Sequence, residues 1–124
     1  MQEIEVGTNK EMGLRLKEIR SIMNEGAKLS GEQFAYLLEE TGDRIRNYEL
    51  GRAGIPARLF YNLYLRGFNP NYIITGEGDL YAPTKKGEEV RDSIESRISR
   101  NNIVKLVRDN TDQITKAVAG KKDD

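Results

Sequence analysis

Arg46 and Asn47 follow Asp43 at intervals of three and four residues, so on a helix all three share one face. Their polar groups are of the kind that read base edges. An arginine fork suits the acceptors of guanine, a side-chain amide suits adenine, and a carboxylate accepts from the amino group of cytosine. Covalent or metal chemistry has far less to work with. The chain has no His and no Cys, which removes the commonest general base, the thiolate nucleophile and any cysteine-ligated zinc or iron–sulfur site. The carboxylate pairs Glu39–Glu40 and Glu88–Glu89 are sequence neighbours that point apart on a helix, so they read as solvated faces rather than acid–base pairs. Gly76–Glu77–Gly78 lacks the lysine and the strand-to-helix setting of a phosphate loop. The expectation is therefore a protein that is not an enzyme, with no metal, no cofactor and no small-molecule ligand.

The elements that must position these residues are helical by spacing. Leu16, Ile19, Ile22 and Met23 recur at three and four and predict an amphipathic first helix ending near Gly26. Ser30 is placed as an N-cap, with Gln33 three residues on as its capping-box partner. The short helix that follows carries Phe34, Ala35, Leu37 and Leu38. After the interruption Glu39–Glu40–Thr41, a second short helix turns Ile45 and Tyr48 inward, and Gly51 closes it. Pro56 opens another helix bearing Leu59, Phe60, Leu63 and Tyr64, which stops at Gly67. A last short turn covers Asn71 to Ile74. The aromatic residues sit mostly at helical spacing, which predicts core packing. Two short helices joined by three residues must cross steeply and share one small core, the helix-turn-helix plan.

The stretch LSGEQFAYLLEETGDRIRNYELGR, Leu29 to Arg52, resembles the lambda-repressor-like (XRE-type) helix-turn-helix family. The matches fall in one register at Leu29, Ser30, Glu32, Ala35, Leu37, Leu38, Ile45, Asn47, Tyr48, Glu49 and Gly51. Upstream RLKEIR (Arg15 to Arg20) and downstream Pro56 and YIITGEG (Tyr72 to Gly78) also resemble the family, so the likeness covers about residues 12–81. It implies an all-α, five-helix domain whose third helix, about 42–49, lies in the major groove of double-stranded DNA. The function implied is that of a small phage- or prophage-type transcriptional regulator, repressor-like, in the cytoplasm. Position by position, Thr41, Asp43, Arg46 and Asn47 are implied base contacts, and the Gly31 amide, Arg44, Arg52 and Arg58 are implied backbone contacts. Arg20 matches an arginine that pairs with the glutamate after the recognition helix, here Glu49. Glu39 replaces the family's turn glycine, and Glu40 and Asp43 bring negative charge close to where phosphates lie. Those departures keep a second reading open: an antitoxin-like or co-activator-like interaction module that no longer binds DNA tightly.

Three segments follow from texture: a flexible arm at 1–11, the helix-turn-helix domain at 12–82, and a helical extension at 83–124 with a disordered end. The extension carries no aromatic residue, and Asn101–Asn102 can divide it into two helices. Ile103, Val107, Asn110 and Ile114 follow the four-three-four spacing of a coiled-coil seam, which predicts a homodimer. The alternative is an extension folded back on its own domain. No apolar run approaches the ~20 residues of a membrane span, and residues 1–11 do not read as a secretory signal, so no membrane partner is expected. The 20 Lys+Arg balance the 20 Asp+Glu, and within 31–53 the count is three basic against five acidic. Any affinity for DNA must therefore come from where the charges stand, because phosphate binding needs local basic surface.

Overall fold

The computed structural model describes residues 2–122, and the side chains of 8–108. It is all-α among the described residues: α1 (Gln2–Ile22), α2 (Gly31–Leu37), α3 (Gly42–Glu49), α4 (Ala57–Leu65), α5 (Pro70–Thr75) and α6 (Lys85–Lys122). No helix among the described residues is long and apolar enough to cross a membrane.

One core organises the first five helices and the start of the sixth. Leu16 and Ile19 of α1, Phe34 and Ala35 of α2, Ile45 and Tyr48 of α3, Leu59 and Leu63 of α4, and Ile73 of α5 are buried together with Leu38 and Phe68. Helix α1 packs against α3 and α5, α2 against α3, and α4 against α5. The α1–α3 contact is backbone-close: a Cβ on Gly13 would lie 2.3 Å from the Tyr48 carbonyl oxygen and 2.6 Å from that of Glu49. Only glycine permits that approach. The first helix is also locked at its other partner, where Arg15 Nε donates to the Ile73 carbonyl at 2.6 Å and Nη2 to Ile74 at 3.2 Å, filling acceptors at the end of α5. Tyr72 hydroxyl donates to Glu18 at 2.8 Å. That bond, then burial, holds the Tyr72 pKa above its ordinary value.

The helix starts follow local chemistry. Ser30 Oγ accepts from Gln33 N–H at 3.1 Å and Gln33 Oε1 accepts from Ser30 N–H at 2.9 Å, a complete capping box. Thr41 caps α3 by accepting from Arg44 N–H at 3.2 Å, and Asn69 caps α5 with Pro70 at its first position.

Four expectations differ from the structure. Residues 2–11 belong to α1 rather than to an arm before it; no proline interrupts them, and the backbone at Lys10 closes against Gly51, where φ is 74°. The division near residue 82 does not separate two units either. Ile94 of α6 is 1% exposed within the same core, and Val90 packs beside it, over Gly67. Asn101–Asn102 does not divide α6, since asparagine in a helix interior costs only about 0.7 kcal/mol relative to alanine. Finally, Tyr36, Tyr61 and Tyr64 face outward, at 84%, 61% and 39% exposure, while Phe34, Tyr48, Phe68 and Tyr81 are buried. The expected disordered end beyond Lys122 lies outside the described residues.

Candidate nucleic-acid interface

Helix α3 is amphipathic in the simplest way. Ile45 and Tyr48 point into the core, Asp43, Arg44 and Arg46 are exposed, and Asn47 is half-buried at the boundary. Three constraints hold this short helix in place. Its start is capped by Thr41. Its end is stopped at Gly51, with Arg52 N–H donating to the Asn47 carbonyl at 2.9 Å. Its flank is tied to α1 by Arg20, whose Nε and Nη2 donate to Glu49 Oε2 and Oε1 at 2.7 and 2.9 Å. The third Arg20 contact, Nη1 to the Leu29 carbonyl at 3.0 Å, carries the tie through to the segment entering α2. Both side chains of the pair are about nine-tenths covered, at 11% and 10% exposure, so this is an interior ion pair with bidentate geometry.

The outer surface of α3 meets the start of α2 in an open cleft of about 350 Å³. Gly31, Ser30 and Glu32 line one side, and Asp43 and Arg46 the other, with the Arg20–Glu49 pair at the floor. The Glu32 carboxylate lies over Gly42 at the start of α3, 1.9 Å from where a Cβ would stand, a position that the exposed glutamate side chain could leave. The cleft thus brings together Gly31, Asp43 and Arg46. Thr41 is exposed at the α3 start, and its hydroxyl hydrogen stays available while the oxygen accepts the cap bond.

Beside this cleft the turn between α2 and α3 holds a second charged group, which sequence reading misplaced. Glu39 is exposed and left-handed, with φ of 57°, a backbone conformation that favours glycine. Glu40 is the reverse of a solvated residue: its side chain is 1% exposed. Oε1 accepts from Arg58 Nη2 of α4, and Oε2 faces Arg44 Nη1 of α3 at 3.8 Å. The structure therefore gathers Arg44 and Arg58 around one buried carboxylate. Only the Glu40–Arg44 spacing of four was visible in the sequence; the second partner comes from eighteen residues on and has no local signature. Arg52 is exposed just after α3 and, like Arg46, makes no ion pair among the described residues.

The seam residues stand elsewhere. Ile103 and Val107 are on the projecting part of α6, 59% and 60% exposed, with Val104 and Leu106 similarly open. The side chains of Asn110 and Ile114 lie outside the described residues. No group of three or more acidic residues among the described ones is arranged to hold a metal ion. The chain matches no family model, no curated protein and no solved structure.

Proposed function

We propose that the protein is a sequence-specific DNA-binding regulator of the lambda-repressor-like helix-turn-helix type, acting by occupying operator DNA rather than by chemistry. The observation that carries this reading is α3 itself. It is a short, firmly held helix with Asp43 and Arg46 exposed and Asn47 half-buried at the edge of the same face, flanked by Arg44, Arg52 and Arg58. In this reading α3 lies in the major groove, where Arg46 and Asn47 address base edges, with Thr41 and Asp43 beside them. Arg44, Arg52, Arg58 and the Gly31 amide hold backbone phosphates, which fix register without specifying sequence.

A single module reads too few base pairs to select one site, so the reading includes a two-fold dimer on a pseudo-palindromic operator. Helix α6 supports this through the rotation of its apolar stripe. Ile94 faces the core. At about 100° per residue, Ile103 and Val107 come out roughly 180° and 220° around the helix from Ile94. They turn away from their own domain, which favours a second copy over a fold-back.

Selection of bound fragments from a random DNA pool tests binding and yields the half-site together. On the enriched duplex, Arg46→Ala and Asn47→Ala should each lose about 1–3 kcal/mol and relax specificity at one position. Unchanged affinity in both variants refutes the assignment of α3. The acidic Asp43 on the exposed face favours one rival, a module that contacts protein in the manner of an antitoxin or co-activator. Binding that does not weaken as salt rises selects that rival, because phosphate contacts must release counterions.

A further inference from the structure

We propose that Glu40 is a positioning residue that presets Arg44 and Arg58 for the phosphodiester backbone of duplex DNA, and that it sets how strongly the protein prefers its target over other sequences. The inference rests on the DNA-binding reading above and extends it to a residue that touches no base or phosphate.

The burial pattern is the starting point. The Glu40 side chain is 1% exposed, whereas those of Arg44 and Arg58 are 63% and 57% exposed. A glutamate placed only to solubilise the turn would lie in water. Instead this one lies under two arginines and keeps a hydrogen-bonding deficit. Among the described residues, Oε2 is buried with no hydrogen-bond partner, and Arg44 Nη1 stands off at 3.8 Å. A buried carboxylate is costly unless opposite charges stand against it, and the two guanidinium groups supply those charges.

What the carboxylate does mechanically is join the start of α3 to the start of α4. Without it, two guanidinium groups this close would repel. With it, they are held around one anion, and the cluster keeps a net charge of one positive. Each guanidinium has five N–H donors, of which Arg58 directs one to Glu40. The outward donors of both side chains remain for phosphate oxygens, the Arg58 fork oriented by its bond to Glu40 and Arg44 drawn toward the same carboxylate by charge. Glu40 acts in a second way as well. Its negative charge subtracts from the attraction to any polyanion, whatever its sequence. The charge lowers target and other DNA alike, so the gap between them is widened by the preset geometry, which strengthens only the correctly registered complex.

The test uses the full chain and two duplexes of equal length: the one enriched from the random pool and a scrambled version of it. Affinities are measured by fluorescence anisotropy over a salt series, and folding of each variant by thermal melting. For Glu40→Gln we expect about tenfold less discrimination, with target binding weaker and scrambled binding equal or tighter. For Arg58→Lys, which keeps the charge but not the fork, we expect weaker target binding with an unchanged salt slope. A folded Glu40→Gln protein with wild-type discrimination overturns the proposal, and so does wild-type target affinity in Arg58→Lys. If Glu40→Gln does not fold, Arg58→Lys decides alone. A wild-type protein that enriches no duplex refutes the DNA-binding reading and this inference with it, whereas wild-type binding with unaffected variants refutes only the inference.

Discussion

Breaking the Arg20–Glu49 pair measures how α3 is held. Two charge-assisted bonds of 2.7 and 2.9 Å join the side chains, and a third bond of 3.0 Å ties Arg20 to the Leu29 carbonyl. An exposed pair of this kind contributes about 0–1 kcal/mol, whereas removing one partner of a buried pair costs about 3–5 kcal/mol. At 11% and 10% exposure the pair belongs nearer the second case, with the residual solvent access lowering the figure. For Glu49→Gln, which leaves the guanidinium interior and short of an anion, we expect a loss of about 3 kcal/mol. In a domain of this length that is a fall in Tm of roughly 10–15 °C. Arg20→Met should cost a similar amount. The double variant Arg20→Met with Glu49→Leu leaves no orphaned charge, so it should lie within about 1–2 kcal/mol of wild type. Urea denaturation followed by circular dichroism reads all three midpoints. Single losses below about 1 kcal/mol that add in the double variant refute the interior-pair argument.

Helix propensity alone expects Gly13→Ala to gain about 1 kcal/mol. Here the new Cβ meets backbone oxygens at 2.3 and 2.6 Å, so the variant should instead lose about 1–3 kcal/mol, and a raised urea midpoint refutes the close approach of α1 and α3. Glu39→Gly relieves a left-handed, exposed residue with φ of 57° and should stabilise by about 1 kcal/mol in a thermal melt; no gain refutes strain at the turn. Burial, aided by Glu95 and Asp79, raises the Tyr81 pKa above 10.0. Between the unfolded and folded values the native state binds the extra proton, so this stabilisation is present in full below pH 10 and is lost as pH rises through the folded pKa. Tyr81→Phe should show a shallower alkaline decline of Tm than wild type, and identical declines remove Tyr81 as a cause.

The legible parts of the fold were those written in local spacing. Ser30 and Gln33 announce the start of α2, and the inward residues of α2 and α3 are those that the three-and-four periodicity selects. Contacts between distant segments were not legible in that way. The Arg20–Glu49 pair was anticipated through the family resemblance, since nothing in either local sequence points to the other. Glu40 was misread because a buried carboxylate and a solvated one have the same sequence; burial depends on α4 delivering Arg58 from eighteen residues away. The stripe Val90, Ile94, Ile98 suits a coiled-coil seam as well as a core. Val90 and Ile94 go to the core because Gly26 and Gly67 leave space for α6 to approach, while Ile98 stays exposed at the edge.

Placement also changes what a net charge of zero means. Of the five acidic residues within 31–53, Glu49 is matched inside the domain by Arg20, and Glu40 is covered by Arg44 and Arg58. Neither offers an open negative surface. Glu32, Glu39 and Asp43 remain exposed there, against Arg44, Arg46, Arg52 and Arg58. With the Glu40–Arg44–Arg58 cluster at one net positive charge, Arg46 and Arg52 bring the total to three against three acids. There is therefore no local excess of positive charge, and one of those acids shares the exposed face of α3. Long-range attraction to phosphate scales with a local positive excess, so a single domain without one gains little affinity that way. On the proposed reading, affinity must come from the fit of α3 to its bases and from doubling that fit across two subunits. The exposed residues Ile103 and Val107 then belong to the same argument as Arg46: a reading head without net positive charge needs a partner copy more than a strongly basic one does.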